Sequence, residues 1–144
     1  MSVALNKQIV EDFIQQVWNE RKIGNLDRFI GEDYRDHSFA PGVPPDKNGL
    51  VSWIASISTS FDHQTSIDSM TAEQDLVTVR ITFTVKHTGR WRNMDASGKE
   101  AEVKGFRQFR LKNGRIVEHW ALLDGERLQS TLSEGHAGCQ LVKQ

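Results

Sequence analysis

The sequence predicts an α+β domain in which three N-terminal helices lie over one face of a curved antiparallel sheet. Three observations carry that reading. Apolar residues recur with a period of about 3.6 as far as Phe61, the period changes to about 2 from Gln64 onward, and Asn113-Gly114 separates two runs rich in apolar and β-branched residues. An Asn-Gly pair in that setting marks a two-residue hairpin turn, because both central residues of a type I′ turn need positive φ.

The first helix is drawn by Leu5, Ile9, Val10, Phe13, Ile14, Val17 and Trp18, which fall on one stripe over about four turns. Gly24 ends it, and Asn25 caps a shorter helix carrying Leu26, Phe29 and Ile30, closed by Gly31. The segment from Asp33 to His37 is polar for a core. A turn-rich loop from Ala40 to Pro45 leads to Asp46, placed to cap a third helix with Leu50, Trp53, Ile54, Ile57 and Phe61 along one side. Thr65 to Ala72 reads as a strand, Glu73-Gln74-Asp75 as a turn, and Val77 to His87 as a long strand whose apolar residues alternate with threonines and charges. The loop from Thr88 to Ala101, bearing Trp91, is a candidate lid. Val103 to Leu111 and Ile116 to Leu123 then form the hairpin, and Leu128 and Leu132 support a short closing helix.

At 144 residues the chain fits one domain, taken as 1–134, followed by a C-terminal tail at 135–144. A formal net charge of -1, with both signs mixed along the chain, supplies no field for nucleic acid or an anionic membrane, so neither is expected as a partner. The single cysteine, Cys139, offers no disulfide framework and no cysteine zinc site, which suits a cytoplasmic location. No run approaches membrane-spanning length, and the N-terminus lacks the apolar core of a signal peptide. The histidines show no short metal-ligand spacing, so no metal is expected. The threonine-rich face of the Thr78 to Lys86 strand offers a broad semi-polar surface for a homodimer.

The candidate site centres on the second hairpin strand. Enolate chemistry needs a base near the carbon acid and a group to hold the developing charge. Asp124, at the strand end, is the candidate base if an apolar pocket desolvates it; equally, an Asp at a strand-to-helix junction followed by Gly125 and Glu126 is a helix cap. His119 is the second candidate, as general acid or carbonyl donor. In an unbroken strand Asp124 shares a face with Trp120 and Glu118, whereas His119 lies on the other face, and a regular two-residue turn sets Gln108 opposite His119. Only a bulge brings the two faces together. The pocket is expected on the side of Trp120 and Asp124, where an aromatic floor adjoins a carboxylate. Tyr34 and His37, Trp53 on the third helix, His87 at the end of its strand and Gln108 complete the candidate substrate contacts, each of them also explicable as packing or as a solvated side chain.

From about Ile9 to Leu132 the chain resembles the SnoaL-like polyketide cyclases, within the cone-shaped fold shared by nuclear transport factor 2, ketosteroid isomerase and scytalone dehydratase. The resemblance rests on Asp33-Tyr34 with His37, on Val77-Thr78-Val79-Arg80 leading to His87-Thr88-Gly89, and above all on Gly114-Arg115-Ile116-Val117-Glu118-His119-Trp120 with Asp124. It implies a cofactor-free enzyme that closes a ring by intramolecular aldol condensation, with the Asp matching Asp124 moving the proton. Two stretches depart from the family pattern, Arg92 to Lys99 and Thr131-Leu132-Ser133, and both bear on substrate identity. The expected function is therefore proton transfer on a small hydrophobic carbonyl compound. The alternative is a non-catalytic ligand-binding or dimerisation module, since one fold hosts many functions.

Overall fold

In the computed structural model, which describes the backbone of residues 2–142 and the side chains of residues 2–133, the Ser2 hydroxyl accepts the Leu5 N–H and starts α1 (Val3–Phe13). The apolar stripe then continues through a π-helical turn, Ile14–Asn19, rather than a uniform α-helix. A π turn takes in one extra residue and so shifts the phase of the residues after it. Val17 and Trp18 are both buried as a result, while the Asn19 carboxamide donates to Thr65 O at 2.9 Å and accepts from Thr65 N at 2.7 Å. The second helix is a short 3-10 piece, Ile23–Arg28.

The polar segment after it is a strand, β1 (Ile30–Asp36), with Ile30, Tyr34 and Asp36 buried and Arg35 exposed. Asp46 caps α2 (Lys47–Ser60) by accepting the Gly49 N–H at 3.0 Å. Four further strands come next, β2 (Phe61–Glu73), β3 (Leu76–His87), β4 (Glu100–Lys112) and β5 (Arg115–Leu123), and the chain closes with α3 (Gly125–Val142). The sheet order is β1-β5-β4-β3-β2. The α+β class holds, with the helices over one face; β1 pairs parallel with β5, so an otherwise antiparallel sheet is mixed. The side chains of the expected tail at 135–144, and its last two residues entirely, lie outside the described residues.

The hairpin turns at Asn113 and Gly114, both at positive φ (51° and 77°), and Leu111 opposes Ile116. The register then slips, because Arg110 opposes Glu118 and Val117 is the extra residue of a bulge. The bulge places Ile116 and His119 on the same face, with His119 opposite Phe109 and Trp120 opposite Gln108. The helices cover this His119 face, so the expectation of a pocket on the Trp120 side is corrected. One-residue slips exchange the two faces of a strand, and neither the turn nor the alternation announces one here.

The main core joins Val10, Phe13, Ile14, Val17 and Trp18 to Val77, Val79, Ile81, Phe109, Leu111 and Ile116. A second cluster, with Phe61, Phe83, Val85, Ala101 and Val103, is closed by Leu128 and Leu132 of α3. Trp91 packs edge-on to Phe61 at 5.3 Å, and its neighbour Arg92 donates to Gln129 of α3, so the loop expected as a lid is anchored by packing. No helix among the described residues is long and apolar enough to cross a membrane.

Candidate active site

The parallel register of β1 and β5 sets Asp36 beside His119. His119 Nδ1 lies 2.8 Å from Asp36 Oδ2, and Tyr34, two residues earlier on the same face of β1, donates its hydroxyl to that oxygen at 2.6 Å. The Ser38 N–H donates to the other carboxylate oxygen at 2.9 Å. From β4, Arg107 Nη1 reaches His119 Nε2 at 3.2 Å. A guanidinium only donates, so Nε2 is unprotonated and the imidazole carries its proton on Nδ1, aimed at Asp36. A continuous chain thus runs from Arg107 through His119 and Asp36 to Tyr34.

The surroundings are buried and largely aromatic. The Asp36 side chain is 0% exposed and that of His119 7%. Trp18, set by the π-helical turn, lies under the Arg107 guanidinium at 5.0 Å, and the Phe109 ring lies 4.9 Å from the imidazole. Burial alone would raise the Asp36 carboxyl, but the bonds from His119, Tyr34 and Ser38 outweigh it and hold Asp36 below the usual carboxylate range. Burial, helped by the charge of Arg107, lowers His119 against the pull of Asp36. Tyr34 is pushed up by burial and by Asp36, and stays a phenol. The chain therefore holds a carboxylate, a neutral imidazole and a guanidinium in a low-dielectric setting, where such bonds polarise one another.

Of the residues singled out in the sequence, the fold brings His119 and Tyr34 together here. Asp124 is exposed and accepts the Arg127 N–H at 2.9 Å, the geometry of a cap on α3. Trp120 lies on the opposite face, stacked on His37 at 4.8 Å and 13°, and His37 Nε2 contacts Glu118 at 2.8 Å. Gln108, also on that face, donates to Thr78 Oγ1. Trp53 is half-buried and tilted against Phe39 at 5.8 Å. His87 sits in the second cluster, with Nδ1 2.9 Å from Ser97 Oγ and the ring against Phe61.

Sequence reasoning missed Asp36, Arg107 and Trp18 as a group. One signal was present, since Arg107 occupies the apolar phase of a strand that runs Val103, Gly105, Arg107, Phe109, Leu111. Two clefts lie elsewhere, one of about 710 Å³ between α1 and the β2 edge and one of about 530 Å³ beside His87 and Lys99. Neither holds a comparable set of coupled acid and base groups, so the chemistry points to the Asp36 site instead.

Comparison with known proteins places the chain in a family. The model of the SnoaL-like polyketide cyclase family matches residues 8–130. The chain belongs to the SnoaL-like family. Among solved structures, this SnoaL-like protein is similar to TsrD from Streptomyces laurentii, at 26% identity and a TM-score of 0.80 over 92% of this chain and 97% of that one. It is also similar to AclR from Streptomyces galilaeus, named as a candidate hydroxylase, at 23% identity and a TM-score of 0.81 over 92% and 98%. A third is IdmH from Streptomyces antibioticus, named as a candidate polyketide cyclase, at 22% identity and a TM-score of 0.79 over 89% and 98%. At such identities these likenesses concern the fold. No curated protein matches this SnoaL-like chain in sequence.

Proposed function

We propose that this SnoaL-like protein is a cofactor-independent enzyme that moves a proton on a small hydrophobic carbonyl compound, as the opening step of a cyclisation or isomerisation. The observation that carries the reading is the 2.8 Å bond between His119 and Asp36 in apolar surroundings. A carboxylate that fixes the imidazole tautomer leaves Nε2 as the base and stabilises the imidazolium once it forms. The C–H bond breaks, the proton passes to Nε2, and the electron pair moves to the carbonyl oxygen, which the Arg107 N–H groups face. In a ring closure the enolate carbon attacks a second carbonyl, and the imidazolium returns its proton to the new alkoxide. Asp124 has the role of a helix cap in this reading.

The test is deuterium incorporation into 1-indanone and 2-tetralone in D2O, followed by NMR. The wild type is expected to accelerate exchange, His119→Gln and Asp36→Asn to lose it by about 10²-fold or more, and Asp124→Asn to keep it. Loss in Asp124→Asn with retention in His119→Gln would return the role to Asp124.

One observation favours the alternative of a binding or dimerisation module. The Asp36 side chain has no exposed surface, as a purely structural core network requires. Under that reading the two site variants unfold more readily and the wild type leaves both ketones unexchanged.

A homodimer through the outer sheet face accompanies either reading. The threonines there are engaged within the chain, since Thr78 accepts from Gln108 and Thr82 is bonded to Asp68 and Lys104. The apolar contact falls instead to Phe106 and Leu122, directly opposite each other and 52% and 78% exposed.

A further inference from the structure

Arg107 is 7% exposed on the helix-covered face of β4. Among the described residues its guanidinium makes one side-chain hydrogen bond, to His119 Nε2, and no carboxylate lies within ion-pair distance of it. Asp36, the acid that acts on it, is on the far side of the imidazole. A guanidinium has five donors and a full charge, and burying it without a direct counter-ion is strongly unfavourable. Nor are its spare donors sealed off. The enclosed polar atoms without a partner among the described residues are Asn6 Oδ1, His63 Nδ1 and His87 Nε2, none of them on Arg107. The site therefore offers a desolvated cation with N–H groups to spare and no anion in direct contact with it, beside a base whose lone pair the same cation covers.

We infer that Arg107 recognises an anionic oxygen of the ligand and that this contact uncovers the base, so that the substrate is a carbonyl compound bearing a carboxylate. The inference rests on the reading of His119 as the base. With no anion bound, the guanidinium donates to the Nε2 lone pair and weakens the imidazole as a base. When a carboxylate takes the guanidinium in a bidentate pair, the better acceptor wins the N–H groups and Nε2 is left free to receive a proton. An anionic ligand would then raise the activity of the base above its level with the neutral ketones, a coupling that favours carbonyl compounds bearing a carboxylate. The charged and titratable groups facing His119 are Asp36 and Tyr34 from β1, Arg107 from β4 and His37 just past β1; of these Arg107 alone is released by a carboxylate.

The experiment compares benzoate with its neutral isostere benzamide on the intact protein, reading the His119 ring nitrogens by 15N NMR across a pH series. Benzoate is expected to bind about tenfold or more tightly than benzamide. It should also move the Nε2 resonance and raise the pH at which His119 protonates, because a cation has left its lone pair. Arg107→Met, checked for folding by circular dichroism, should erase the preference, and Arg107→Lys should retain part of it. Equal binding of the two probes, or benzoate at millimolar concentration leaving His119 unmoved, overturns the inference, and the wild-type titration decides this even if Arg107→Met does not fold. The base reading fails separately. If benzoate uncovers His119 but no keto acid or ketone exchanges its α-proton in a His119-dependent way, anion recognition stands and catalysis does not.

Discussion

His63 shows at the scale of one residue how burial sets pH behaviour. It is 1% exposed between Trp18 and Phe83, its Nε2 meets Ser58 Oγ at 3.1 Å, and its Nδ1 has no partner among the described residues. Burial first, then the charge of Arg21, lowers it from 6.5 to about 4. The unfolded chain therefore binds a proton at this histidine between those two values while the native protein does not, and stability falls as pH drops through that window. The shift corresponds to ~3 kcal/mol. Urea unfolding at pH 7 and pH 4.5 should register most of that loss in the wild type, and His63→Leu should flatten the difference; an equal slope in both proteins would show that His63 is not the group responsible. Asp36 illustrates the opposite balance. Its carboxylate is buried and satisfied by three donors, so Asp36→Ala, which strands the Tyr34 hydroxyl and the His119 N–H, is expected to cost about 3–5 kcal/mol. Chemical denaturation measures this directly, and a loss below about 1 kcal/mol would mean that water reaches the network.

At the scale of the element, two irregularities position the site. The π-helical turn at Ile14–Asn19 seats Trp18 under Arg107 and brings Asn19 onto the edge strand β2, where its carboxamide pairs with both backbone groups of Thr65. Asn19→Ala leaves an N–H and a C=O of a buried residue without partners, and should destabilise the protein by about 1–3 kcal/mol with faster amide exchange at Thr65. Unchanged exchange at Thr65 would mean that another group takes over the pairing. The bulge at Val117 turns His119 toward the helices. Both features were illegible in the sequence for the same reason: a π turn and a bulge each insert one residue without a diagnostic residue type, so the periodicity reads through them. The helices, β2 to β5 and the Asn113-Gly114 turn were legible, because apolar spacing and positive-φ preference are local properties.

For the whole molecule, the sheet has one face under the helices and one open. Phe106 and Leu122 form an apolar pair in the open face, flanked by Trp120 stacked on His37. Sedimentation at micromolar concentration is expected to report a dimer for the wild type and a monomer for Phe106→Glu combined with Leu122→Lys. A wild type that sediments only as monomer removes the dimer.

By itself, the sequence determined the α+β class, the order of most elements and the tight hairpin, and it singled out His119 and Tyr34, since these come from periodicity, turn chemistry and local motifs. Tertiary structure alone assembled the candidate site. Asp36 and His119 are 83 residues apart in sequence and meet because a polar segment adds to β5 as a parallel strand. Local pattern carries no information about such a pairing, because register between distant strands is settled by the faces that must be buried. The same packing made Asp124 a helix cap, put Trp120 on the open face and left Arg107 buried with donors to spare.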